Sequence, residues 1–94
     1  MALPLSINEA IEVALVWGSN KWPEAPAIKV YEINLRPTLS AEEGVWWGYK
    51  IYVLPEPYVD SIINKIGSEL IIRMDGAVDS YKDIGSDEYV STST

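Results

Sequence analysis

The stretch Gly44-Val45-Trp46-Trp47-Gly48-Tyr49-Lys50-Ile51-Tyr52-Val53-Leu54 decides how this chain folds. Aromatic and β-branched residues dominate it, and Pro55 closes it, so it reads as one long β-strand. Strand side chains alternate between faces, which puts Val45, Trp47, Tyr49, Ile51 and Val53 on one side. Trp46, Tyr52 and Leu54 fall on the other side, with Gly48 and Lys50 between them. A strand with large apolar groups on both faces needs cover on both, or a partner.

On the N-terminal side, Ile28 to Arg36 is a second strand, with Tyr31, Ile33 and Leu35 in one phase and Glu32, Asn34 and Arg36 in the other. Ile28 and Val30 fall out of phase with Ile33. Either the start of this strand is covered on both faces or a bulge shifts its register. Residues 37–44 are expected to connect the two strands as a loop, with a short helical turn as the alternative. Earlier still, Ser6-Ile7-Asn8-Glu9 is a capping-box pattern that opens a helix. Ile7, Ala10, Ile11, Ala14 and Leu15 form its buried stripe, widened by Val13, Val16 and Trp17, and Gly18 is its expected terminator. Ser19 to Pro26 reads as loop and holds Trp22.

On the C-terminal side, Pro57 starts a second helix whose apolar face is Tyr58, Val59, Ile62, Ile63 and Ile66. Gly67 stops it. Leu70 to Met74 and Ala77 to Tyr81 read as strands joined by a tight turn at Asp75-Gly76, a pair that tolerates left-handed backbone angles. The expected fold is therefore α+β, order αββαββ: a four-stranded antiparallel sheet with two helices on one face. Residues 1–84 would form the single domain, and residues 85–94 a mobile acidic, Ser/Thr-rich tail.

Composition narrows the function. The 94 residues suit one small domain, and 48% hydrophobic content is enough for a core. Seven basic against fourteen acidic residues give a net charge of −7. That balance speaks against nucleic acid and anionic membrane surfaces and leaves a basic protein as a partner that the charge would attract. There is no cysteine, no window of ~18 apolar residues and no signal-peptide pattern, so a cytoplasmic protein is expected.

Histidine is absent too, and no glycine-rich phosphate loop is present, so no catalytic residue is assigned and no enzymatic activity is expected. Asp75, Asp79, Asp83 and Asp87 recur every fourth residue. Along a strand such residues stand ~13 Å apart, too far to share a calcium ion, so neither metal nor cofactor is expected. Trp47 is expected in the core. Trp46 and Tyr52, with Lys50 between them, are expected to be covered by a helix or to form a binding patch. The reading is a protein-binding module, an inhibitor- or immunity-type partner of a basic protein, with Trp46, Lys50, Tyr52, Trp22, Asp79 and Asp83 as partner-binding residues. The alternatives are a subunit of a homo-oligomer or larger assembly, and a carbohydrate or small-ligand binder that stacks sugars on Trp22 and Trp46.

Overall fold

The computed structural model describes residues 4–40 and 42–92, residue 40 by its backbone alone. The elements run α1 (Ile7–Lys21), β1 (Ile28–Ser40), β2 (Gly44–Pro55), α2 (Tyr58–Ile63), β3 (Ser68–Arg73), β4 (Val78–Asp83) and β5 (Val90–Ser91). The strands form one antiparallel sheet in the order β1-β2-β3-β4-β5. The fold is α+β with two helices, as expected, but the described residues hold five strands rather than four.

The capping box at the start of α1 is complete. Ser6 Oγ accepts from the Glu9 N–H at 3.1 Å, and Glu9 Oε1 accepts from the Ser6 N–H at 3.0 Å. The helix does not stop at Gly18; it runs on to Lys21. Its buried stripe is Ala10, Ala14 and Gly18, whereas Ile7 is exposed and Ile11 and Leu15 are half-buried. A Cβ at Gly18 would stand 2.7 Å from the Ile28 side chain, so this glycine serves close packing of helix on strand rather than termination. Tyr49 pins the start of the helix by donating its hydroxyl hydrogen to the Leu5 carbonyl at 2.7 Å.

The out-of-phase start of β1 is a bulge. Val30 pairs with Val53 and Glu32 with Tyr52, which leaves Tyr31 as the extra residue. The shift brings Val30 and Ile33 together against the core of Ala10, Ala14, Tyr49, Ile51, Val53, Leu70 and Ile72. Residues 37–40 are strand rather than loop, and β1 crosses Pro37 without a break. β1 is an edge strand, the place in a sheet where proline is tolerated. The Asp75-Gly76 turn forms as expected: Gly76 has φ 90°, and Asp75 Oδ1 accepts from the Ala77 N–H at 2.9 Å.

Two further expectations are corrected. The two helices do not share a face: α1 lies against the core, and α2 contributes no residue to it. α2 closes the end of the sheet instead, where Leu54, pointing away from α1, shares a crevice with Ile62 and Ile66. The segment expected to be a mobile tail is tied down in part, since Tyr81 pairs with Val90 and Ser80 with Ser91. Thr92 adds its N–H to Asp79 O at 3.1 Å and its hydroxyl to Val78 O. The expectations for residues 1–3, 41 and 93–94 lie outside the described residues.

If the close approach at Gly18 sets the height of α1, Gly18→Val should lower stability by roughly 1–3 kcal/mol through overpacking. Ile28→Ala placed in the same chain should restore part of that loss. Urea unfolding of the single and double variants measures both.

Candidate functional site

The register sorts the aromatic residues between two faces: an inner face under α1 and an outer face opposite it. On the outer face the rows across the sheet are Glu32, Tyr52, Glu69 and Lys82; then Asn34, Lys50, Ile71 and Ser80; then Arg36, Gly48 and Arg73; then Thr38 and Trp46. Four of the six residues singled out from the sequence, Trp46, Lys50, Tyr52 and Asp79, come together here. Five of the chain's seven basic residues, Lys29, Arg36, Lys50, Arg73 and Lys82, also occupy outer-face positions. No helix covers Trp46 or Tyr52; both are half-buried by neighbouring side chains.

Glu69 is the anchor of this face. Its side chain is only 1% exposed. Lys50 Nζ lies 3.1 Å from one of its oxygens and Lys82 Nζ 3.9 Å from the other. The two lysine contacts fall short of well-directed hydrogen bonds, so they hold the charge by proximity. The Tyr52 hydroxyl is the third neighbour. Sharing its proton with Glu69 pushes the phenol up to about 12, helped by burial and by the charges of Glu69 and Glu32; Arg36 acts the other way.

Arg73 is the second fixed point. Its guanidinium lies 4.3 Å over the Trp46 ring and reaches Glu43 at 2.7 Å and Asp79 at 2.9 Å. The hydrogen bonds it donates to Glu43 and Asp79 raise its pKa further above an already high value, so the charge is permanent. The Trp46 ring packs over Gly48, where a Cβ would come within 2.8 Å of it. The Trp46 indole N–H is shut off from water and has no partner among the described residues.

Trp22 and Asp83 stand elsewhere. Trp22 meets Trp17 edge-on at 6.1 Å, and with Tyr81 these rings surround the Lys21 ammonium at 4.4–5.8 Å. Asp83 accepts from Lys21 and from the Ser68 hydroxyl, each at 2.7 Å, and these bonds hold its carboxyl below the usual range. Trp22 therefore packs on the core side of the sheet, and Trp46 on the outer side, so they make no common stacking platform. Asp75, Asp79 and Asp83 each serve a different partner.

One exposed apolar face was not singled out from the sequence. β2 pairs with β3 only from Gly48 to Val53, so residues 37–40 and 44–47 project past the third strand as a two-stranded arm. Along the inner face of this arm and its root lie Leu35 (52% exposed), Pro37, Leu39 (81%), Val45 (63%) and Trp47 (54%). Trp47 is thus exposed, not in the core, and no charged residue shares that face. The missed signal was the length of β1 and β2, 13 and 12 residues, against six in β3. No protein-family model, curated protein or solved structure matches this chain. No helix among the described residues is long and apolar enough to cross a membrane.

The Tyr52–Glu69 contact has a signature in pH. The phenol's folded-state value stands above its ordinary value of 10, so its contribution to stability is complete below that value and is lost as pH rises through about 12. Phenolate absorbance should show one late-titrating tyrosine that disappears in Tyr52→Phe. In Glu69→Gln it should move back toward the ordinary range.

Proposed function

We propose that this chain is a protein-binding module that docks through its β1–β2 arm. One observation carries the reading: Leu35, Leu39, Val45 and Trp47 form an exposed, uncharged face on a strand pair that lies beyond the reach of α1. Contiguous apolar patches of this kind are scarce on free monomers and mark contact surfaces. Tryptophan is the residue type most enriched where binding energy concentrates. The arm is also braced, because Glu43 near its tip is tied through Arg73 to Asp79 and Trp46 lies beneath the guanidinium. A stiff arm loses little freedom on docking.

The net charge of −7 supports the finer reading, an inhibitor- or immunity-type partner of a basic protein, since long-range attraction speeds encounter. A second reading, a subunit of an assembly, draws on the opposite end of the sheet. There Val59, Ile62, Ile63 and Ile66, in and just after α2, are exposed as well. Two apolar ends on a body 40 Å long suit head-to-tail contact between copies.

The decisive comparison uses the chain and its Leu39→Asp/Trp47→Asp variant side by side as baits against extract of the native host. Both positions are exposed, so the variant should melt close to the parent. A protein retained by the parent and lost by the variant, then shown with purified components to bind at least ~30-fold more weakly to the variant, is the expected result. Equal retention on both baits rejects the arm. Sedimentation that stays monomeric at every concentration rejects the self-assembly reading.

A further inference from the structure

A second surface carries its own chemistry. The small stripe Ala10, Ala14 and Gly18 draws α1 down onto β1 and β2, and the helix makes its main contacts with those two strands. Over β4 the cover is only partial: Trp17 reaches Tyr81, and an opening remains beside Val78. Between α1 and the β3–β4 turn lies a groove of about 660 Å³ whose walls are Leu5, Val13, Val16, Trp17 and Val78. Its helical wall runs from Glu9 to Asn20, about 17 Å at ~1.5 Å per residue.

The rim is acidic throughout. Glu9 and Glu12 on α1 and Asp75 in the turn line the groove, and no lysine or arginine does. None of the three carboxylates is ion-paired among the described residues. Two are fixed in place by backbone N–H groups, Glu9 by Ser6 and Asp75 by Ala77. Lys21, further along α1, is committed to Asp83 and its ring of aromatics.

We propose that this groove is the docking site for a basic amphipathic segment of a partner protein. Apolar side chains of the segment fill the trough between Val13, Val16 and Val78, and its lysines or arginines meet the three carboxylates. Charge complementarity selects this occupant. A second copy of the chain would bring another net charge of −7, and an anionic lipid surface would be repelled in the same way. The site is separate from the arm, so the two readings stand or fall independently.

The test is isothermal titration of the full chain with a synthetic peptide of ~14 residues, leucine at helical spacing on one side and lysine on the other. Two control peptides accompany it: one with glutamate for lysine, and one with the same composition scrambled to abolish the apolar face. Binding of the first peptide alone is expected. It should weaken about tenfold or more in Glu12→Lys/Val16→Asp, and it should weaken as salt rises. The arm variant Leu39→Asp/Trp47→Asp should bind within about twofold of the parent, a shift below ~0.5 kcal/mol. Circular dichroism checks that both variants fold, which the exposure of Glu12 and Val16 leads one to expect. Absence of binding, equal binding of the scrambled peptide, or loss of binding in the arm variant rather than the groove variant would each overturn the proposal.

Discussion

A single helix of fifteen residues has to roof a sheet whose two longest strands run for thirteen and twelve. The helix spans about 22 Å, and a thirteen-residue strand about 40 Å. That mismatch governs the rest of the molecule. Where α1 lies, Tyr49, Ile51 and Val53 are buried; where it ends, the same face of the same strand exposes Trp47 and Val45. The alternation along β2 continues unchanged across that boundary. What changes is the availability of cover, and with it the meaning of an apolar residue.

The outer face solves a different problem. With no helix from Tyr52 to Trp46, its cover comes from long side chains lying on one another: Lys50 and Lys82 around Glu69, and Arg73 across Trp46. A carboxylate withdrawn from water is tolerable only with compensating charge close by. Placing basic residues on this face supplies that compensation and leaves the remainder of the chain strongly acidic. The molecule is therefore electrically two-sided: a near-balanced mosaic on the outer face and a negative field over α1 and the turns.

Local chemistry was legible in the sequence. Ser6 with Glu9, Asp75 with Gly76 and the phase break around Val30 each specify a short-range geometry that no distant contact overrode. Tertiary context decided the rest. Pro37 looked like the end of a strand, but an edge strand tolerates proline. Gly18 looked like a helix terminator, yet its bareness serves the contact with Ile28. Val90 and Ser91 sit in polar surroundings and gain order from main-chain pairing, which composition does not report. For the candidate site, alternation placed Trp46, Lys50 and Tyr52 on one face correctly. It could not show that Trp22 and Asp83 would be recruited by Lys21, or that Trp47 would outrun the helix.

The division of the tryptophans has a consequence for spectroscopy. Trp17 and Trp22 are packed around an ammonium at the C-terminal end of α1, whereas Trp46 lies under a guanidinium and Trp47 faces solvent on the arm. Intrinsic emission from this chain is thus a blend of three populations in unlike surroundings. A soluble quencher would strip the contribution of Trp47 first, so the chain carries its own optical reporter for the one indole that stands uncovered.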